Sequence, residues 1–323
     1  MVNETAAFVR PIFSAPPDAA VLFAASGSES NLLALKGARD ATARREVVMA
    51  ASAHPCLDKA AAVLGLTVVR TAVSDGGRAD VQAMIEATGP QTAAVVLSMP
   101  CDSRGVCDMV APVAEAAQRA GSWCHVDACL GGYLVPFLKA IGRQLPDFDF
   151  GVPGVRSISA DLHKYGYAPT GISSLLLRKR SDEEVIGFAF DGWNGSPYAS
   201  ATMAGTRSVA PLAGAWATLL QLGQEGLSER AAAVADWTDR LAGMVRADTD
   251  LQLLSCAEAG MVHFSPLGDC SGFGTAMARL GLRGNATTDP DGFTTTVGPY
   301  WDDEEMAQLL DAARSIAASS RAV

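Results

Sequence analysis

Trp123-Cys-His-Val-Asp127-Ala-Cys-Leu-Gly131-Gly132-Tyr133 is an apolar run that ends in a carboxylate and is followed by two glycines. Apolar residues on both faces suit a strand covered on both sides, and the glycines mark a place where backbone turns or approaches closely. Outward from this segment the same texture repeats. Strands are predicted at Glu46–Ala50, Thr67–Thr71, Ala93–Ser98, Val155–Ala160 and Ser173–Arg178. Helices are predicted between the earlier ones, at Glu29–Arg44, Cys56–Leu64, Asp80–Ala87 and Val110–Ala120. Strand–helix alternation at this spacing predicts an α/β fold with a mostly parallel, doubly wound sheet.

After about residue 207 the texture changes. Val209–Gly223 and Leu227–Val245 read as long Ala-rich helices. Short strands are predicted near Leu251–Leu254, Gly260–Phe264 and Phe293–Val297, with helices near Ser271–Leu280 and at Asp302–Ala318. The chain thus reads as a large domain over residues 1–207, then connecting helices and a small α+β domain over residues 208–323.

The 323 residues suffice for a large core, and 49% hydrophobic with 19% charged residues is ordinary for a globular chain. A net charge of −10 repels nucleic-acid phosphate, so an anionic substrate would need a local basic pocket. No membrane span and no signal peptide are predicted. The seven cysteines show no paired zinc spacing, and reduced thiols in the cytoplasm are expected. No metal motif, G-x-S-x-G elbow, Walker loop or Rossmann fingerprint occurs.

Four segments could carry chemistry. In Ser157-Ile-Ser-Ala-Asp-Leu-His163-Lys164-Tyr-Gly-Tyr167 a β-rich strand delivers a His-Lys pair into a Gly- and aromatic-rich turn. A lysine held still and able to lose its charge can form a Schiff base with an aldehyde cofactor, and burial or positive neighbours favour that loss. The plainer reading is a surface lysine at a strand end. Asp127, at the C-terminal edge of its strand, could keep a pyridine nitrogen protonated, or simply cap the next helix. Ser26-Gly27-Ser28, ahead of a helical run, could cradle a phosphate at the helix N-terminus. Ser26 with Glu29 three residues on also satisfies an ordinary capping box. His54, between a strand and a helix, could stack on a flat cofactor or be an ordinary packed or solvated histidine.

Taken together the motifs resemble the sphingosine-1-phosphate lyase branch of the group II decarboxylases that depend on pyridoxal 5′-phosphate. The likeness runs through residues 125–132 and 157–169, and continues in Trp193-Asn-Gly-Ser-Pro-Tyr-Ala-Ser200 and Ala204-Gly-Thr-Arg207. It implies the aspartate-aminotransferase-like fold (fold type I), with a mostly parallel seven-stranded sheet. By position it makes Lys164 the cofactor-bearing lysine, Asp127 the partner of the ring nitrogen, and His54 the stacked histidine that assists proton transfer. Ser26, Gly27 and Ser28 become the phosphate cup, with Ala128 and His163 beside the cofactor. Gly205 and Thr206 fall in a turn that reaches a partner subunit's cofactor, so a homodimer or heteromer with interfacial sites is implied.

The implied reaction is carbon–carbon cleavage, or the reverse aldol addition, on an amino alcohol or β-hydroxy amino acid, phosphorylated or not. Amino-acid decarboxylation by the same residues is the alternative. Two departures stand out. Only about 25 residues precede the Ser26 loop, without the family's docking arm, and Gly284–Gly298 lacks its histidine-containing run. A further expectation is therefore a cofactor-binding subunit whose partner chain supplies the arm.

Overall fold

The central strands have no wet face. Thr92–Ser98, Trp123–Asp127 and Ser173–Leu177 are buried at every residue, which a sheet permits only when other elements cover both of its sides. The computed structural model describes residues 1–74 and 76–321. Its large part runs α1 (Val2–Ile12), β1 (Ala20–Ala24), α2 (Gly27–Thr42), β2 (Glu46–Ala50), α3 (Cys56–Leu64), β3 (Thr67–Thr71), α4 (Val81–Ala87), β4 (Thr92–Ser98), α5 (Val110–Ala120), β5 (Trp123–Asp127), α6 (Val135–Ala140), β6 (Val155–Ala160), β7 (Ser173–Leu177) and α7 (Asp182–Ile186). An exposed hairpin, β8 (Phe188–Phe190) and β9 (Tyr198–Ser200), leads to α8 (Ala210–Ala247). Then follow β10 (Leu251–Leu253), β11 (Met261–Pro266), α9 (Phe273–Arg279), β12 (Asn285–Thr288), β13 (Asp291–Thr296) and α10 (Asp303–Arg321).

Seven strands form one sheet in the order β1-β7-β6-β5-β4-β2-β3. β2 to β6 pair parallel, and β7 runs antiparallel to both β6 and β1. Alternation along each strand divides the core in two. Val48, Val95, Leu97, Val126 and Ile158 pack with α1, α5, α6 and α8. Val47, Met49, Ala94, Val96 and Trp123 pack with α2 and α3 on the other side. From β2 the chain moves outward to β3, whereas from β4 it moves the opposite way, to β5 and β6. The crevice beyond the C-terminal ends of β2, β4 and β5 is therefore a topological switch point, where open α/β sheets bind ligands.

A second sheet, β10-β11-β13-β12, is antiparallel throughout. Its core takes Leu241 and Val245 from α8, Phe273 and Met277 from α9, and Met306 and Leu310 from α10. Tyr165 ties the two sheets together, donating to the carbonyls of Gly260 (3.1 Å) and Val297 (2.9 Å). The two predicted long helices are one run broken at Gly223, whose φ of 60° and ψ of −172° are not helical. Among the described residues no helix is long and apolar enough to cross a membrane.

Candidate active site

Period-two alternation puts Trp123, His125 and Asp127 of β5 on the sheet face that α2 covers. Asp127 ends the strand and is held at both oxygens. Asn31 Nδ2, one turn into α2, donates to Oδ2 at 3.0 Å, and the Cys129 backbone N–H donates to Oδ1 at 3.1 Å. In the next strand position, Asp127 pairs with Ser98 of β4 on one side and Ser159 of β6 on the other. Past β6 the chain turns through Asp161, His163 and Lys164. Lys164 Nζ lies 3.2 Å from Asp161 Oδ2, and His163 Nε2 lies 3.7 Å from the same oxygen. His163 Nδ1 sits 2.7 Å from the Ile172 carbonyl, which anchors the ring to the β6–β7 turn.

These groups meet in one cavity. Its walls include Ser26, Gly27, Ser28, Asn31, His54, Asp127, Asp161, His163 and Lys164. Ser26 is the N-cap of α2, its hydroxyl accepting from the Glu29 N–H at 3.3 Å, so the capping reading and a place in the cavity wall coexist. His54 is exposed, and its Nδ1 accepts from the Cys56 N–H at 3.1 Å. Ala128 is not among the described residues that line the cavity. Its N–H bonds to the Ser159 carbonyl, its own carbonyl accepts from Gly132, and it packs in the core on the far side of the sheet. Gly205 and Thr206 line a different cleft, beside Phe23 and Ile172. Arg207 fastens that turn to the Phe23 carbonyl, and Glu29 Oε1 accepts from the Met203 N–H at 3.2 Å.

Lys164 departs from the expectation of a lysine readied by burial. With 36% of its side-chain surface accessible, it opens to the cavity. Burial pulls its pKa down, but Asp161, then Cys129 and Asp127, outweigh that and hold it above the ordinary lysine value. Asp161, Asn31, Cys56 and Cys129 lie within or beside the motifs, but nothing in the sequence gives them a role. Nothing in a lone Asn announces a contact made across 96 residues, as Asn31 makes with Asp127. The signal that was available is the odd-numbered spacing Trp123, His125, Asp127 on a single strand face.

Two features mark the cavity as built for a ligand. Asp161 Oδ1 is buried and has no hydrogen-bond partner in the protein, the kind of orphan a ligand completes. A Cβ on Gly27 would lie 2.6 Å from Cys129 Sγ and 2.8 Å from Asp161 Oδ2, so only glycine lets the helix N-terminus sit this close. The donor set suits a flat phosphorylated aldehyde: free N–H groups of α2 with Ser26 and Ser28, a carboxylate at Asp127, an amine at Lys164 and an imidazole at His54.

Residues 7–266 match the family model for the pyridoxal-dependent decarboxylase conserved domain. The chain is 36% identical over 244 residues to sphingosine-1-phosphate lyase of Arabidopsis thaliana, covering 74% of this chain and 45% of that protein. It is 31% identical over 302 residues to a probable L-tyrosine/L-aspartate decarboxylase of Methanothermobacter thermautotrophicus, covering 91% and 81%. Among solved structures, a sphingosine-1-phosphate lyase of Burkholderia pseudomallei superposes with a TM-score of 0.86 at 29% identity, covering 98% of this chain and 77% of that one. The chain spans about half or less of the length of the curated lyases it matches.

Proposed function

The chain belongs to the pyridoxal-dependent decarboxylase family, whose cofactor is pyridoxal 5′-phosphate, and from that premise we propose a carbon–carbon lyase acting on an amino alcohol or β-hydroxy amino acid that carries an anionic group. The phosphorylated amino alcohol named for its lyase relatives is the leading form. The observation that carries the reading is the meeting of Lys164, Asp127, His54 and the α2 N-terminus in one cavity at the C-terminal edge of the sheet.

When bound, the cofactor supplies an electron sink for the bond that breaks beside the substrate nitrogen. Each residue then has a task its position supports. Lys164 would hold the cofactor through Nζ. Once free, it carries a proton at Nζ with Asp161 as its immediate partner. Asp127, oriented by Asn31 and the Cys129 N–H, keeps the ring nitrogen protonated. Ser26, Gly27 and Ser28 hold the phosphate against the positive end of α2. His54, on the cavity wall, would stack on the ring, and His163 braces the turn that carries Lys164.

Two clefts open from Lys164 toward α8 and the second sheet. One is lined by Arg283, Tyr167 and Tyr300, the other by Arg230, Tyr167 and Tyr300, and neither has a carboxylate among its described lining residues. In a chain of net charge −10, such clefts draw an anionic group toward the lysine. Tyr167 is held at a φ of 57°, a strained conformation for a non-glycine residue that recurs at functional sites. Arg230→Ala with Arg283→Ala is expected to raise KM for a phosphorylated substrate about tenfold or more, by loss of charge-assisted bonds, with a smaller change in kcat.

A second reading, amino-acid decarboxylation, is favoured by the archaeal relative that this chain matches over most of both lengths. Product analysis decides: an aldehyde with an amine supports the lyase, and carbon dioxide supports the decarboxylase. We place the enzyme in the cytoplasm, as seven free cysteines suit. We also propose a dimer closed over the exposed apolar hairpin that carries Phe188, Phe190, Trp193 and Tyr198. That arrangement would bring the Gly205–Arg207 turn to a partner's cavity.

A further inference from the structure

We propose that Asn31 and His125 are positioning residues for Asp127, the last links of a one-way hydrogen-bond chain whose direction is set by Trp123. The proposal rests on the reading of Asp127 as partner of the cofactor's ring nitrogen. Trp123 Nε1 lies 2.6 Å from Ser157 Oγ, and an indole N–H can only donate. Ser157 therefore accepts there, and the described partner left for its own proton is His125 Nδ1, at 2.8 Å. With Ser157 donating there, the imidazole is the tautomer protonated at Nε2.

His125 Nε2 then donates to Asn31 Oδ1 at 2.9 Å, with Ser159 Oγ a longer contact at 3.3 Å. The Asn31 amide cannot flip, so its Nδ2 faces Asp127 Oδ2 at 3.0 Å. Were the tautomer reversed, the Asn31 carbonyl would face the carboxylate instead, two acceptors in contact. Trp123, Ser157, His125 and Asn31 are all buried, which strengthens the bonds between them. Burial holds His125 well below the ordinary histidine range, at about 4, and keeps it neutral at working pH. Ser157 does not line the cavity, yet its hydroxyl decides which way the residue next to Asp127 points.

Nitrogen-15 NMR of the full chain reads the tautomer directly, and pyridoxal 5′-phosphate titration reads the consequence. His125 is expected as a neutral Nε2–H imidazole, with or without the cofactor. Asn31→Leu should weaken cofactor binding about tenfold or more, the usual cost of a lost bond to a charged group. Ser157→Ala should mix the two tautomers and weaken binding severalfold, and Ser157→Thr, which keeps the hydroxyl, should restore both. A wild-type His125 protonated at Nδ1, or unchanged affinity in folded Asn31→Leu, overturns the chain. If Ser157→Ala does not fold, the wild-type tautomer and Asn31→Leu decide. Asp127→Ala binding the cofactor as tightly as wild type would instead remove the role of Asp127, leaving the tautomer result to stand by itself.

Discussion

Asp161 and Lys164 form the pair on which the residue-scale chemistry turns. Because Asp161 raises the Lys164 pKa, Asp161→Asn should lower it. The pH at which the cofactor links to the lysine should then move down, which a stopped-flow pH profile can follow; an upward shift would contradict the pairing. Deeper in, Asp108 accepts from the Ser98 N–H (2.7 Å) and the Ala79 N–H (2.8 Å), pinning the end of β4 beside the cavity. Burial pushes its carboxyl from 3.8 up to about 6, against those bonds and Arg78. A folded pKa above the unfolded one gives stability that is fully present below pH 3.8 and lost as pH rises through 6. The stability of wild type relative to Asp108→Asn should therefore fall over that window by roughly 2–3 kcal/mol and then level off, as urea unfolding at several pH values would show. Lys164 and Asp127 were legible in the sequence because their chemistry narrows the choice of residue and their flanking motifs are long. Asn31 and His125 were not, since each acts through a partner distant in the chain, and Asp161 was not because its place three residues before Lys164 does not by itself show that the two side chains meet.

At the scale of elements, α2 couples fold to site, its first turn forming both the helix cap and the cavity wall. Gly27→Ala should abolish tight cofactor binding while leaving most of the helix intact, because the new methyl meets Cys129 and Asp161 at under 3 Å. Near-wild-type cofactor affinity in that variant would show that the approach is not needed. Gly223 makes a contrasting case. A Cβ there meets nothing within 4 Å, but its backbone lies where other residues are strained. Gly223→Ala should cost about 1–3 kcal/mol in thermal or urea unfolding with no effect on cofactor binding. The strands from β2 to β7 were readable as short β-rich runs set between helical or turn-forming sequence. β1 was missed because Ala20–Ala24 is five apolar residues with no period of their own, and it becomes a strand by pairing with β7 from across the chain. Helices α1, α6 and α7, the β8–β9 hairpin and β12 were missed because they are short or amphipathic pieces with a weak period of their own.

For the molecule as a whole, charge and apolar surface point in different directions. The net charge is strongly negative, while the clefts beside Lys164 carry Arg230 and Arg283. Raising the ionic strength should therefore slow capture of an anionic substrate more than its turnover. The exposed hairpin residues Phe188, Phe190, Trp193 and Tyr198 should be covered in solution. Sedimentation of the purified chain is expected to give a dimer, and Phe190→Glu with Trp193→Glu to give monomers with weakened activity. A fully active wild-type monomer would remove the interfacial site.

The most direct test of the whole account is chemical. The chain is loaded with pyridoxal 5′-phosphate, reduced with borohydride, digested and mapped by mass spectrometry. The expected result is a single phosphopyridoxyl adduct on Lys164, with the visible absorbance of the bound cofactor lost in Lys164→Ala. An adduct on another lysine, or the same absorbance surviving in that variant, would contradict it.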